Sequence, residues 1–403
     1  MKVVSLETLR HSEFPNLLFV QVHTDEGLVG LGETFFGAQA VEAYLHETVA
    51  PVLLGADPLQ IDRHAKTLYG YLGYASSGVE TRGNSAVDIA LWDIFGKLTD
   101  QPLYQLLGGR TREKIRIYNT CAGYRYVRHE PRQSVANWGL PQQEAHGPYE
   151  DLDAFLYRAG ELASDLLGAG ITGMKIWPFD PYAERSGGTY ISERDLKAAL
   201  KPFGLIREAV GDRMDIMVEF HSLWNLPTAK RIARALEPYD PFWFEDPLKP
   251  DNFDALADYA SSTHVPVTLS ETLSGRGAFR HLLASRAAGV VMLDLGWCGG
   301  VSEAKKIATM AEAHQLPIAP HDCTGPVVLT ASTHLSVNAP NALIQETVRA
   351  YYSGWYRDLV TELPVIEDGY IRPPEGPGLG TELLPGLTTS DHVVTKTTTL
   401  EDL

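Results

Sequence analysis

From residue 115 onward, short β-branched segments alternate with segments that have helical periodicity. The candidate strands are residues 115–120, 171–177, 214–219, 241–245, 266–271, 290–294, 317–321 and 343–346. The candidate helices include residues 152–168, 194–210, 227–237, 276–287, 300–314 and 326–337. Strands that alternate with helices favour a parallel sheet, and eight such strands in about 230 residues favour a closed α/β barrel over an open sheet.

The residues before this barrel predict a small α+β unit. Residues 17–23 and 28–33 have the pattern of two strands, and Gly27 between them supplies the positive φ that a tight turn needs. Residues 40–50, 60–71 and 84–99 have helical periodicity. Pro102 and the pair Gly108-Gly109 then indicate a boundary near residue 110.

Composition and charge limit the classes of partner. The chain has 403 residues, of which 44% are hydrophobic and 21% charged, as in ordinary folded proteins. Its net charge of −17 has the wrong sign for binding phosphates, so we expect neither nucleic acid nor an anionic membrane as a partner. The three cysteines are too few for a disulfide framework, and charged residues such as Glu7 and Arg10 interrupt any signal peptide. We therefore expect a cytoplasmic protein.

Nearly every candidate strand ends in an ionisable residue. In chain order these residues are Lys175, Glu219, Glu245, Glu271, Asp294, His321 and Glu346. Successive members are separated by 44, 26, 26, 23, 27 and 25 residues, so after the first gap one recurs in each strand–helix unit. Active sites of such barrels lie at the carboxyl ends of the strands, and a charge is seldom buried without a partner. We therefore expect all of these side chains to meet at one mouth of the barrel.

Glu219, Glu245 and Glu271 follow three consecutive strands. Three carboxylates held together repel one another unless a cation lies between them. A set of oxygen ligands with room for water and substrate is typical of Mg²⁺ rather than of zinc. The sequence therefore predicts a Mg²⁺ site; in the alternative interpretation, one or two of these residues are solvated loop carboxylates.

Asp294 and His321 end neighbouring strands, which suits an acid–base dyad. A carboxylate bound to one imidazole nitrogen fixes the tautomer and leaves the other nitrogen as a general base. His221 stands two residues after Glu219, so strand alternation points both side chains the same way and makes His221 a candidate acid. The alternatives are a surface histidine at position 321 and a structural histidine at position 221.

A divalent cation that faces a histidine base suits removal of a proton α to a carboxylate. Enzymes typically lower a barrier by about 8–23 kcal/mol, whereas one oxyanion donor contributes about 2.7–4 kcal/mol, so this weak carbon acid needs a metal. Lys175 is expected on the side of the barrel opposite His321. Trp177, two residues further on, either lines the pocket or packs in the core.

With these features, the chain resembles the mandelate racemase subgroup of the enolase superfamily over essentially its whole length. The motifs that carry the resemblance are NSAVDIALWD at 84–93, PLYQLLGG at 102–109, the ordered series of ionisable residues and PEGPGLG at 374–380. The resemblance implies a modified (β/α)7β TIM-like barrel and a homo-oligomer. It also implies an N-terminal α+β capping domain at 1–110, a catalytic barrel at 111–365 and a C-terminal segment at 366–403 that returns to the cap.

The resemblance also implies a role for each site residue. Glu219, Glu245 and Glu271 would bind Mg²⁺, Asp294 and His321 would form the base dyad, and Glu346 would hydrogen-bond the substrate carboxylate or enediolate. The sequence Glu-Phe-His at 219–221 is similar to that of acid-sugar dehydratases of the galactonate and mannonate type, in which His221 would protonate the departing 3-hydroxyl. We therefore predict an acid-sugar dehydratase, a hydro-lyase whose product is a 2-keto-3-deoxy acid sugar.

Two departures from the family pattern keep other functions open. Lys-Ile-Trp at 175–177 replaces the Lys-x-Lys of racemases, which leaves Lys175 to bind substrate or to assist catalysis. Glu219 stands where Asp is more common, which lengthens that ligand by one methylene. The first alternative is a racemase or epimerase of a 2-hydroxy or sugar acid, with Lys175 and His321 as opposed bases. The second is a sugar-acid-binding protein with little turnover.

Several segments are expected to close over the substrate. They are the insertion at 124–150, a loop at 181–190, the cap loop near Phe36 and the stretch at 73–83. From these segments and the second barrel strand, we take Trp177, Arg82 and Tyr74 as candidate substrate-binding residues. Each of these loops could instead be solvated or packed against another subunit.

Overall fold

The computed structural model describes residues 1–70, 77–128, 133–140 and 149–403. Its strands, numbered in chain order, are β1 Val3–His11, β2 Phe14–Thr24, β3 Val29–Phe35, β4 Ile115–Thr120, β5 Gly173–Ile176, β6 Asp215–Glu219, β7 Trp243–Glu245, β8 Val267–Leu269, β9 Val290–Leu293, β10 Ile318–Pro320, β11 Gln345–Thr347, β12 Val365–Glu367, β13 Tyr370–Arg372 and β14 Val393–Thr399.

The helices are numbered in the same way. They are α1 Ala38–Tyr44, α2 Ala50–Leu53, α3 Ile61–Tyr69, α4 Val79–Thr99, α5 Leu103–Leu106, α6 Asp151–Tyr157, α7 Ala159–Gly168, α8 Asp180–Ser186, α9 Glu193–Val210, α10 Leu226–Leu236, α11 Phe253–Ala260, α12 Gly275–Ser285, α13 Gly300–Ala313, α14 Pro326–Asn338 and α15 Arg349–Tyr352. A π-helical turn at Leu45–Val49 joins α1 to α2. Within the described ranges, no helix combines the length and apolar character needed to cross a membrane.

The eight predicted barrel strands are all present, as β4 to β11. Neighbours from β4 to β10 pair in parallel in chain order, and β11 closes the barrel by pairing Gln345–Thr347 with Ile117–Asn119 of β4. Helices cover the outside; the predicted helix at 152–168 is interrupted at Arg158, and α11 was not predicted. The predicted α/β barrel fold is confirmed.

The cap is an antiparallel sheet in the order β14-β1-β2-β3, packed against α4. The predicted hairpin is formed by β2 and β3, and Gly27 has the expected positive φ of 81°. The sequence did not predict β1 or β14. Glu7 on β1 made that segment resemble a charged terminus, but its carboxylate pairs with His23 on the neighbouring strand at 3.2 Å. Strand β14 is rich in threonine and mostly exposed, so it lacks the hydrophobic alternation that marks a strand.

The C-terminal segment predicted at 366–403 contacts both parts of the molecule. Strand β14 extends the cap sheet, while Tyr370 and Ile371 of β13 pair with β4 of the barrel. Between them, the Leu379 N–H donates to Asp93 of α4 at 2.8 Å, and the Gly378 carbonyl accepts from the Leu103 N–H at 2.7 Å. The domain boundaries at residues 110 and 365 stay predictions.

Two cap carboxylates bind the N-termini of barrel helices. Glu33 on β3 accepts hydrogen bonds from the Val327 and Val328 N–H groups of α14, both at 3.1 Å. Asp88 on α4 accepts from the N–H of Ser302 in α13 at 2.9 Å and from its hydroxyl at 2.6 Å. The three N–H groups are otherwise unsatisfied donors of a helix start. Burial raises the pKa of Glu33 to about 8 and that of Asp88 to about 7. The cap is therefore attached to the helices that follow β9 and β10.

A buried ion pair joins the two strands that close the barrel. Arg349, just after β11, donates from Nε and Nη2 to the two oxygens of Asp151 at 2.6 and 2.7 Å. Asn119 of β4 donates to the same carboxylate at 2.9 Å. The arginine and aspartate side chains are only 6% and 3% exposed, so water cannot replace either partner.

Replacing Arg349 with Met is expected to lower the free energy of unfolding by about 3–5 kcal/mol, because it leaves the Asp151 charge buried without compensation. Urea unfolding measures this loss. The matched control is Asp165→Asn, since Asp165 contacts the same arginine at 2.6 Å but is 63% exposed. Equal losses in the two variants would contradict the importance of the buried pair.

Candidate metal and acid–base site

The structure brings the seven predicted ionisable residues together at the carboxyl end of the barrel. Glu219 and Glu245 are the last residues of β6 and β7, and Glu346 lies within the short strand β11. Asp294 and His321 directly follow β9 and β10. Parallel strands end at the same rim of a barrel, which is why residues about 25 positions apart in the sequence become neighbours.

Glu219, Glu245 and Glu271 form a compact group of carboxylates. One oxygen from each lies within 4.8 Å of the others. Oxygens that share one octahedral Mg²⁺ at about 2.0–2.1 Å lie about 3–4 Å apart, so small rotations would bring these three into coordination. The group offers oxygen donors alone, as a hard divalent cation prefers. These residues fit a Mg²⁺ site.

Lys175 inserts its ammonium group among the same carboxylates. Its Nζ lies 3.3 Å from Glu219 Oε2 and 2.9 Å from Glu346 Oε1, and it also pairs with Glu245. Burial alone would lower the pKa of Lys175, but Glu245 and Glu346 raise it well above its ordinary value. Lys175 therefore stays charged and neutralises part of the cluster.

The strand order decides how Lys175 lies relative to His321, the residue that it was expected to face across the barrel. In the closed barrel β5 is three strands from β10 by way of β4 and β11, and the long lysine side chain reaches the centre. Lys175 Nζ lies 2.9 Å from one oxygen of Glu346 and His321 Nε2 lies 3.9 Å from the other. A single carboxylate thus separates the two cations.

His321 and Asp294 form a buried dyad. His321 Nδ1 lies 2.7 Å from Asp294 Oδ2, and its Nε2 points toward the cluster, 3.3 Å from Glu271 Oε2. Burial would lower the pKa of His321, but Glu271 and Glu346 raise it to about 10. A cation bound at Glu271 would oppose this attraction and shift the pKa back toward the range of a general base. With Nδ1 committed to Asp294, Nε2 is the nitrogen that exchanges a proton at the mouth.

His221 lies beside the cluster, but not for the reason expected. Strand β6 ends at Glu219, and His221 has a left-handed φ of 49°, so strand alternation does not reach it. Its N–H donates instead to Glu219 Oε1 at 2.6 Å, and its Nδ1 lies 2.8 Å from Asp180 Oδ2. Burial would lower the pKa of His221, but Asp180 and Glu219 raise it to about 9. An imidazolium is therefore held beside the predicted metal site.

The candidate substrate-binding residues differ in their positions. Trp177 is completely buried, and its ring centroid lies 5.7 Å from that of His221. The guanidinium carbon of Arg82, on α4 of the cap, lies 4.9 Å from the ring centroid of Trp297. The Trp297 ring is tilted by 34° against that of His321, with the two centroids 5.4 Å apart. Tyr74 lies outside the described residues. Substrate binding by these three residues stays a prediction.

Sequence reasoning missed residues that hold the ionisable groups in place. The loop predicted at 181–190 is helical up to Ser186, because α8 begins at Asp180, whose carboxylate binds His221. The signal was present, since an Asp before Pro181 is a typical helix start. Thr120, at the end of β4, donates its hydroxyl to Glu346. It was overlooked because only ionisable residues were considered at strand ends.

Two family models match most of the chain. Residues 3–108 match the N-terminal domain of the mandelate racemase / muconate lactonizing enzyme family, and residues 158–386 match the enolase C-terminal domain-like family. The described part of the intervening stretch includes β4 and α6. The two matches therefore cover the cap except for β14, and all but the beginning of the barrel.

Characterised relatives and solved structures agree with these models. The chain is 32% identical to a D-galactonate dehydratase of Ralstonia nicotianae over 95% of its own length and 92% of that protein. It is also 32% identical to a D-xylonate dehydratase of Haloferax volcanii, over 93% and 85% of the two chains. A crystal structure of an enolase of the mandelate racemase subgroup from Agrobacterium tumefaciens covers 100% of both chains, with 56% identity and a TM-score of 0.89.

The motif-based resemblance is confirmed by these matches, and the predicted lyase class agrees with the two relatives, which are dehydratases. By sequence over both domains and by structure over its full length, the chain belongs to the mandelate racemase / muconate lactonizing enzyme family of the enolase superfamily.

Proposed function

We propose that this chain is a Mg²⁺-dependent acid-sugar dehydratase that removes the C2 proton of its substrate and eliminates the 3-hydroxyl. One observation carries the proposal: two imidazoles, each bound at Nδ1 by a carboxylate, flank the cluster of three glutamates. His221 follows β6 and His321 follows β10, four strands apart in either direction around the eight-stranded barrel. A base and an acid on opposite sides of a substrate are what loss of a proton and a hydroxide requires.

Each residue has a distinct role in the proposed reaction. His321 Nε2 takes the C2 proton, and Asp294 stabilises the imidazolium that forms. Bound Mg²⁺ supplies positive charge where the substrate carboxylate becomes more negative. His221 then gives its Nε2 proton to the 3-hydroxyl, which leaves as water, and the resulting enol becomes a 2-keto-3-deoxy acid.

Lys175, held by Glu346, binds the carboxylate end of the substrate in this proposal. Burial would raise the pKa of Glu346, but Lys175 and His321 lower it, so the free site holds a carboxylate. An ionised Glu346 accepts a hydrogen bond and cannot donate one to an enediolate. Lys175 is therefore the better donor to the developing negative charge, and Glu346 positions both Lys175 and His321.

The same contacts weigh against a racemase. A second base would need a free lone pair on the face opposite His321, and Lys175 is the only lysine of the predicted site. Its ammonium instead contacts Glu219, Glu245 and Glu346, all of which favour its charged form. Dehydration uses Lys175 as a cation and needs no lone pair there.

The test is to incubate the purified protein with Mg²⁺ in D₂O against a stereochemically complete panel of aldonates and aldarates, followed by mass spectrometry. Loss of water from one or a few compounds is expected. Deuterium gained at C2 without loss of water would favour the racemase, and binding without either change would favour a sugar-acid-binding protein.

Replacing His221 with Asn is expected to lower dehydration by about 10²–10⁴-fold, the usual contribution of a general acid, while C2 exchange continues. The Asn side chain can still donate to Asp180 but has no group at the place of Nε2. Mass spectrometry of the substrate recovered from D₂O measures both rates. A variant that loses exchange as fully as dehydration would contradict the acid role.

A further inference from the structure

Asp180 lies outside the set of residues that the family pattern assigns, yet it directly contacts the proposed acid. It is the first residue of α8, it is 3% exposed, and its Oδ2 lies 2.8 Å from His221 Nδ1. Gln133 donates from Nε2 to the same oxygen at 3.1 Å. The other oxygen, Oδ1, is buried without a hydrogen bond. The carboxylate thus concentrates its contacts on one atom.

The contacts define the tautomer of His221. Gln133 Nε2 also lies 3.3 Å from His221 Nδ1, but a nitrogen that donates to Asp180 cannot accept from Gln133 at the same time. A carboxylate is the stronger acceptor, so Nδ1 carries the hydrogen and donates it to Asp180. Nε2 is then the atom that exchanges a proton; the hydroxyl of Tyr126 lies 3.4 Å from it.

The arrangement matches the geometry of the other histidine dyad in the same site. His321 contacts Asp294 with the same pair of atoms, Nδ1 to Oδ2, at 2.7 Å. The two dyads come from different elements: Asp294 and His321 follow neighbouring strands, whereas Asp180 starts a helix after β5 and His221 follows β6. His221 has a left-handed φ of 49°, which a non-glycine residue keeps where its surroundings hold it, and the contact with Asp180 adds to the bond from the His221 N–H to Glu219.

We propose that Asp180 is the positioning residue of the acid step: it orients the His221 ring and fixes Nδ1 as the donor, so that the Nε2 proton faces the leaving 3-hydroxyl. The inference rests on the proposed function of His221. In the step it supports, the C3–O bond breaks and its electron pair stays on oxygen. The Nε2–H bond breaks as the new O–H bond forms, and water leaves while the enediolate electrons form the C2–C3 double bond.

The test compares Asp180→Asn, Asp180→Glu and the wild-type protein. The amide of Asp180→Asn can donate to Nδ1 and so favours the wrong tautomer, as a general consequence of replacing the carboxylate of a dyad. Dehydration is expected to fall by about 10²–10⁴-fold with little change in KM, while C2 exchange in D₂O continues. Asp180→Glu keeps a carboxylate and is expected to restore part of the rate.

The matched control is Asp195→Asn. Asp195 belongs to the next helix, α9, and pairs at 3.4 Å with Arg185 of α8; the two side chains are 34% and 63% exposed, and no described contact joins Asp195 to either histidine. Its replacement is expected to leave both rates unchanged. An equal fall of exchange and dehydration in Asp180→Asn, or no fall at all, would overturn the positioning role while the proposed function stands.

A second measurement decides the inference even if no acid sugar is turned over. In protein labelled with ¹⁵N-histidine, the His221 signals are identified by their absence from His221→Asn. The wild-type spectrum is expected to show a hydrogen-bonded Nδ1–H that disappears in Asp180→Asn and returns in Asp180→Glu. An unchanged His221 signal in Asp180→Asn would overturn the inference. A wild-type protein inactive toward every acid sugar would overturn the proposed function, and the spectrum would still show whether Asp180 fixes the His221 ring.

Discussion

Replacing His321 with Asn is expected to lower both dehydration and C2 exchange by about 10²–10⁴-fold, equivalent to about 3–5 kcal/mol of transition-state stabilisation. Nε2 of His321 is the base in the proposed reaction, and nothing else in the dyad can accept the C2 proton. The Asn side chain retains a donor for Asp294, which lies 2.7 Å from Nδ1 in the wild-type protein. The loss would therefore report on Nε2 rather than on the buried carboxylate.

His314→Asn is the control for this change, because His314 is exposed at the end of α13, away from the mouth. The decisive comparison is with His221→Asn. If the two histidines have the proposed roles, His321→Asn abolishes exchange and dehydration together, whereas His221→Asn abolishes dehydration alone. Exchange that survives in His321→Asn would require a different base.

Removal of Mg²⁺ is expected to abolish turnover, and Mg²⁺ added back is expected to restore it and to raise the melting temperature. A ligand that binds only the folded state at a concentration 100 times its Kd stabilises that state by about 2.7 kcal/mol. Glu245→Gln should lose both responses, since an amide replaces a carboxylate in a group whose oxygens lie within 4.8 Å of one another. Calorimetric titration with Mg²⁺ and thermal unfolding measure the two effects.

Glu312→Gln removes the same charge from an exposed position on α13 and is expected to behave like the wild-type protein. The comparison matters because lower repulsion among buried carboxylates could by itself change the stability of Glu245→Gln. The discriminating quantity is therefore the shift in melting temperature that Mg²⁺ produces in each protein. The same shift in Glu245→Gln and in Glu312→Gln would show that the three glutamates are not the site.

The positions of Glu219, Glu245 and Glu271 could be predicted because strand–helix units repeat at nearly constant length. Because every parallel strand ends at the same rim of the barrel, residues at matching positions of successive units lie side by side in the structure. The dyad of Asp294 and His321 could be predicted for the same reason. The two residues lie at the ends of neighbouring strands, so their contact could be predicted without knowing the path of any loop.

Asp180 and Gln133 could not be predicted in this way. Each lies between a barrel strand and the long helix that follows it, Gln133 after β4 and Asp180 at the start of the short helix α8 after β5, where the chain path follows no fixed period. Strand β14 was missed for a different physical reason, because its mostly exposed threonines carry no hydrophobic alternation and it is defined by hydrogen bonds to β1. The sequence therefore predicted the groups at strand ends and left open the residues that orient them.

The attachment of the cap at Glu33 and Asp88 limits how the protein can admit its substrate. Four hydrogen bonds fasten these carboxylates to the helices after β9 and β10, the strands that carry the Asp294–His321 dyad. Rotation of the cap as a rigid body about a hinge would break all four bonds and leave the N–H groups of two helix starts without these partners. Substrate exchange is therefore expected to proceed through local movement of loops, with the base kept in a constant environment throughout the turnover cycle.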